Sequence, residues 1–151
     1  MNDHATPEAA AAGIIGLKTW GAAQGHGSFL DLQFGEARPD DPDRGTYHLW
    51  IYQCMWRIEH GSELGAGSED RAERIATALA RLNGAPVTAI KVARPSLSTT
   101  FEFGESRLIT FETYTDSSTD DPEQWMLFRP DRQVVSVGPG ASWRVSPEDQ
   151  P

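Results

Sequence analysis

The run Thr46 to His60, TYHLWIYQCMWRIEH, holds no glycine, proline, asparagine or aspartate and consists largely of β-forming residues. Side chains of a strand alternate between two faces. One face would carry His48, Trp50, Tyr52, Cys54, Trp56 and Ile58; the other would carry Leu49, Ile51, Gln53, Met55, Arg57 and Glu59. Both sets are apolar until the charged end, which predicts one long central strand covered on both sides. Such a strand needs partners along both edges, and the rest of the chain must supply them.

It does so in short β-forming runs punctuated by turn residues. Gly13 to Trp20 reads as a first strand, and Leu30, Leu32 and Phe34 alternating with Asp31 and Gln33 as a half-buried second. Glu36 to Gly45 (EARPDDPDRG) reads as an acidic loop, because two prolines cannot donate to a ladder. Ser68 to Leu82 is the expected helix. Ser68 stands at its N-cap, Glu69 and Asp70 suit the positive end of its dipole, and Asn83-Gly84 with Pro86 ends it. Ala72, Ile75, Ala76, Leu79 and Leu82 form its apolar stripe. Strands follow at Val87 to Val92, Leu97 to Phe103, Leu108 to Tyr114, Gln124 to Phe128 and Val134 to Val137, with Gly104-Glu105-Ser106 as a hairpin turn. A second acidic loop spans Thr115 to Glu123.

The expected fold is therefore α+β, mainly antiparallel sheet with one helix packed on it. Residues 1–12 read as a flexible tail, 13–144 as a single domain and 145–151 as a polar tail. Leu32-Gln33-Phe34-Gly35-Glu36 recurs as Phe101-Glu102-Phe103-Gly104-Glu105 roughly 70 residues later, the mark of a duplicated three-stranded unit with the helix between copies.

Composition narrows the function. A net charge of -9 over 151 residues disfavours nucleic acid and anionic membranes and favours a basic partner. One cysteine, Cys54, allows no internal disulfide. No run approaches the length of about 20 apolar residues needed to cross a bilayer. The start, MNDHATPEAAAAG, lacks a cationic segment ahead of an apolar one, so a cytoplasmic location is expected.

No strong catalytic motif is present. Cys54 with His48 or His60 is the obvious nucleophile and base, but residues six apart on a strand lie about 20 Å from each other, and a thiol inside an apolar run is inert. His26, between Gly25 and Gly27, has no nucleophile elbow and no fixed acid partner. Asp40, Asp41 and Asp43, and then Asp116, Asp120 and Asp121, lack the spacing of a calcium loop. No zinc site, phosphate loop or dinucleotide fingerprint occurs, so neither a metal nor a cofactor is expected. Tryptophan and tyrosine are the residues most enriched at binding hot spots. Trp50, Tyr52, Trp56 and Trp125, with Asp116, Asp120 and Asp121, are the candidate binding residues.

The run Phe101 to Gly140 orders Phe103, Gly104, Leu108, Glu123, Trp125, Leu127, Pro130, Gly138, Pro139 and Gly140 as strand, turn, strand, glutamate-to-tryptophan segment and glycine-proline-glycine ending. In this it resembles a small family of uncharacterised bacterial domains similar to toxin-immunity proteins. The resemblance implies a small, acidic, non-enzymatic protein that binds a toxin directly. The expected function is thus protein binding without catalysis. A small hydrolase with an unrecognised histidine and acid site is one rival, and a small-ligand-binding β-rich domain is another.

Overall fold

The computed structural model describes residues 5–116 and 123–148. Helix α1 (Pro7–Ala11) opens them. Strands β1 (Thr19–Gln24), β2 (Leu30–Arg38) and β3 (Asp41–Ile51) then make a meander in a first sheet, and the chain crosses to a second sheet for β4 (Cys54–His60) and β5 (Glu63–Gly67). Helix α2 (Ala72–Ala80) follows. Strands β6 (Ala89–Val92), β7 (Thr99–Phe103) and β8 (Ser106–Glu112) make a second meander in the second sheet. The chain then crosses back, and β9 (Trp125–Phe128), β10 (Gln133–Gly138) and β11 (Ser142–Pro147) complete the first. The strand orders are β1-β2-β3-β9-β10-β11 and β5-β4-β8-β7-β6, with antiparallel neighbours throughout. The protein is mainly β, with little helix.

One core lies between the sheets. Leu30, Leu32, Phe34, Leu49 and Ile51 enter it from the first, and Trp56, Ile58, Phe101 and Leu108 from the second. Phe101 and Trp125 meet across the gap edge to face at 5.3 Å. Helix α2 packs against β1 and β5, and α1 against β6, β10 and β11, so each helix lies where an edge of one sheet approaches an edge of the other.

The run from Thr46 to His60 is two strands, not one. It breaks at Tyr52-Gln53, where the Tyr52 N–H donates to the Gln124 carbonyl (2.8 Å) and the Gln53 N–H to the Glu123 carbonyl (3.0 Å) as the chain changes sheets. The crossing shifts the parity of the inward face. Odd positions Leu49 and Ile51 point inward before it, and even positions Cys54, Trp56 and Ile58 after it. Two half-buried strands in series therefore read as one strand buried on both faces.

Several other boundaries move. Glu36 to Gly45 is a hairpin, with only Pro39 and Asp40 outside strands; the register steps from Ala37↔Gly45 to Arg38↔Asp41, so Pro42 to Arg44 bulge from the ladder. Gly13 to Trp20 is mostly a 3₁₀ turn and bridge ahead of β1. Helix α2 starts at Ala72. Ser68 does not cap it, because the Ser68 N–H donates to the Trp56 carbonyl (3.0 Å) and the Asp70 carboxylate accepts the Gly67 N–H (2.8 Å), which commits that stretch to a turn. Ala72 and Ala76 face solvent, while Ile75, Ala78, Leu79 and Leu82 are buried.

Neither expected tail is loose where it is described. Thr6 caps α1 by accepting the Ala9 N–H, Glu8 takes two hydrogen bonds from Arg94 (2.9 and 3.1 Å), and Arg129 donates to the Ala10 carbonyl (3.1 Å). Ala10, Ala11 and Ile14 are buried, since side chains this small let the helix approach closely without a wide apolar stripe. At the other end β11 runs to Pro147 and pairs with β10 along its length, which places Val145 against the core.

The recurring pentapeptide marks equivalent places in the two meanders. Leu32, Phe34 and Trp56 correspond, at the same spacing of roughly 70 residues, to Phe101, Phe103 and Trp125, and all six are buried. Both indoles also make similar bonds. The Trp56 N–H donates to the Ser28 carbonyl (2.7 Å) and the Trp125 N–H to the Thr99 hydroxyl (2.9 Å).

Candidate functional site

The outward faces of the two sheets differ in chemistry. On the second sheet Glu59 binds Arg57 (2.6 Å) and Arg107 (2.7 Å), and Lys91 binds Glu102 (2.9 Å). Hydrogen bonding from Arg57 is the main cause holding the Glu59 carboxyl below its ordinary range. The charged side chains of this face pair with one another, beside the apolar pair of Met55 and Phe111.

The first sheet turns aromatic rings outward. Its register sets Asp31, Trp50, Met126, Ser136 and Arg144 side by side in one row, and Gln33, His48, Phe128 and Val134 in the next. Trp50 lies edge-on to Phe128 (5.4 Å) and to His48 (5.6 Å) and stacks towards Tyr52 (6.2 Å); Tyr52 in turn meets Phe29 at 4.4 Å. The Arg44 guanidinium covers Phe128 at 5.4 Å. Trp50 keeps 36% of its surface exposed.

A cleft of about 240 Å³ opens at one end of this face, between the His26 turn of the β1–β2 hairpin and the end of β3. Phe29, Trp50 and Tyr52 wall it, and Asp31 provides a carboxylate. Asp31 Oδ1 is hydrogen-bonded to His48 Nε2, while Oδ2 has no partner among the described residues. Aromatic faces beside a carboxylate favour a cation, which gains from the ring quadrupoles and the negative charge together. His48 itself is 6% exposed, and its Nδ1 is buried with no partner among the described residues. Among the described residues no hydroxyl or thiol is bonded to that nitrogen.

Of the residues singled out from sequence, the structure brings Trp50 and Tyr52 together on this face. Trp56 and Trp125, 2% and 0% exposed, are core residues and form no binding surface, because the parity shift at Tyr52-Gln53 turns Trp56 inward. Asp116 is exposed beyond the end of β8, while Asp120 and Asp121 lie outside the described residues. The loop that carries them leaves β8 and returns to β9 beside Tyr52, so its ends adjoin the cleft. Asp40, Asp41 and Asp43 sit near the other end of β3, about 30 Å from Trp50 at strand spacing. Among the described residues, no three His, Cys, Asp or Glu side chains gather as a metal site, and no helix is long and apolar enough to cross a membrane.

Phe29, Asp31, His48 and Phe128 belong to the cluster but not to the candidates read from sequence. The alternation of Asp31 and Gln33 with Leu30, Leu32 and Phe34 places Asp31 on an outer face, but only the pairing of β2 with β3 sets it beside Trp50. His48, Cys54 and His60, nominally one face of one strand, end in three different places. His48 is on the aromatic face. Cys54 is in the core, where burial pushes its thiol up to about 12, and His60 bonds Ser106 at the far end of β4 (2.8 Å).

Comparison with protein-family models, curated proteins and solved structures finds no match to this chain.

Proposed function

We propose that the protein works by binding another protein without catalysis, and that the aromatic face of the first sheet receives a lysine or arginine side chain of that partner. The observation that carries this reading is the contrast between the two outer faces: one neutralises its charges internally, and the other leaves Trp50, Tyr52 and the Asp31 carboxylate open around a cleft. The net charge of -9 draws a basic partner towards it at long range. An immunity-like role, neutralising a basic toxin, is the specific form of this function that we favour. The matching spacing of Leu32, Phe34 and Trp56 with Phe101, Phe103 and Trp125 further supports descent of the two halves from one duplicated unit.

The test is capture of a partner from the protein's own lysate by the native chain, by Trp50→Ala and by Asp31→Asn, with competition by arginine-rich and glutamate-rich peptides. Stoichiometric capture that both substitutions abolish, and that only the arginine-rich peptide competes away, is the expected result. Capture indifferent to both substitutions, or no partner in any condition, would refute it. The rival hydrolase reading rests on the His48–Asp31 pair beside the cleft. It requires His48→Gln to remove a turnover that the binding reading does not contain.

A further inference from the structure

A second cleft, of about 400 Å³, lies between α2 and the β4–β5 hairpin, remote in chemistry from the aromatic face. We propose that it binds a phosphate-type dianion. Arg71, Arg74 and Arg81 line it at helical spacing on one side of α2, with Thr77 between them, and His60 and Gly65 line it from the hairpin. A guanidinium offers planar, paired donors that match a tetrahedral oxyanion. These three stand together in a chain with only 13 lysines and arginines against 22 acids.

Their present partners hold them loosely. Arg74 lies 3.8 Å from the Asp70 carboxylate and donates to the Leu64 carbonyl (3.2 Å), and Arg81 reaches Glu63 at 3.2 Å. Arg71 has no ion-pair partner among the described residues. Exposed pairs of this kind are worth at most about 1 kcal/mol, so a dianion displaces them at little cost. Glu73 also lines the cleft, and an anion must approach on the arginine side of it.

His60 supplies the independent sign of a ligand. It is 6% exposed, its Nδ1 is satisfied by the Ser106 hydroxyl, and its Nε2 is buried with no partner among the described residues. That nitrogen lies against Gly65, where a Cβ would stand 2.9 Å from it and 2.9 Å from the Ile58 carbonyl oxygen, so only a glycine fits there. Burial, and then the positive charge of Arg81, lower the His60 pKa, with Glu63 acting weakly the other way. A dianion bound beside Arg81 offsets that guanidinium's charge at the imidazole and favours its protonated form.

The probes are sulfate, whose charge is constant through the histidine range, inorganic phosphate and glycerol 3-phosphate, each followed by the NMR signals of the His60 ring at constant ionic strength. The His60 pKa is expected to rise on saturation and, by reciprocity, sulfate is expected to bind more tightly as the pH falls through it. Arg71→Gln and Arg74→Gln, both solvent-facing and so without effect on folding, should each weaken binding about tenfold, as loss of one charged hydrogen bond does. Both variants should leave partner capture by the aromatic face intact. Tighter binding of glycerol 3-phosphate than of phosphate would assign the anion to an organic ester, and the reverse order to the free ion. A His60 pKa equal in sulfate and in chloride, or arginine variants that bind as well as the native chain, would overturn the site.

Discussion

Raising the pH from about 8 to about 11 is expected to weaken the fold through Cys54. The thiol lies in the core, 6% exposed, and donates to the Gln124 carbonyl (3.4 Å). Burial raises its pKa from 9.0 to about 12. The folded value is the higher one, so the neutral thiol stabilises the fold in full below the unfolded value and loses that contribution as the pH climbs towards the folded one. At about pH 11, two units above the unfolded value, the loss from this group is on the order of 3 kcal/mol. Urea denaturation of the native chain and of Cys54→Ala at both pH values measures it. Tyrosines and lysines titrate in both proteins and cancel in the difference between them. The native chain should lose on the order of 3 kcal/mol more than the variant on going to the higher pH. Equal losses would show that the fold accommodates the thiolate, and the case against Cys54 as a nucleophile would fall with the burial argument.

Trp125→Ala should cost about 3–5 kcal/mol in chemical denaturation, because it empties a site at the junction of the sheets and removes the indole bond to the Thr99 hydroxyl. Trp50→Ala, at the half-open aromatic face, should cost about 1 kcal/mol or less while removing partner capture. Gly45→Ala should cost about 1–3 kcal/mol or unlock the β2–β3 hairpin, since its Cβ would meet the Phe34 backbone oxygen at 2.7 Å and nitrogen at 2.9 Å, neither of which can rotate away. A thermal midpoint for Gly45→Ala equal to the native one would refute that reading.

Five of the six strands of the second half were legible because each is short, alternating and bounded by turn residues; β11 was missed, since Ser142, Arg144 and Ser146 make it read as polar. Phe101 and Phe103 face the core, and Gly104-Glu105 turn the chain where the sequence places them. The first half misleads for identifiable reasons. Thr46 to His60 carries no turn residue at Tyr52-Gln53, because the crossing is made by hydrogen bonds to Gln124 and Glu123 from a remote part of the chain. Proline and aspartate at 39–43 mark a loop by local rules, yet a bulge keeps them within a hairpin. The alanines of α1 have no apolar stripe of the usual width, and their burial is decided by what β6, β10 and β11 leave open. The binding residues were half legible. Trp50 and Tyr52 stand out by residue type, whereas Asp31 and Phe128 join them only through strand pairing.

That pairing also explains why the candidate face is on the first sheet. The two halves of the chain exchange strands: β3 of the first meander lies beside β9 of the second half, and β8 of the second meander lies beside β4 of the first. Each sheet therefore has a seam where the halves meet. At the β4–β8 seam the outward pairs are Met55 against Phe111, Arg57 against Ile109 and Glu59 against Arg107, and the last two residues satisfy one another. At the β3–β9 seam they are His48 against Phe128 and Trp50 against Met126, which gain little from one another in charge and leave an aromatic surface. Neither half alone presents this surface, since Trp50 and His48 come from one and Phe128 from the other. A substitution that separates the halves, even one remote from the cleft, must therefore disrupt the face.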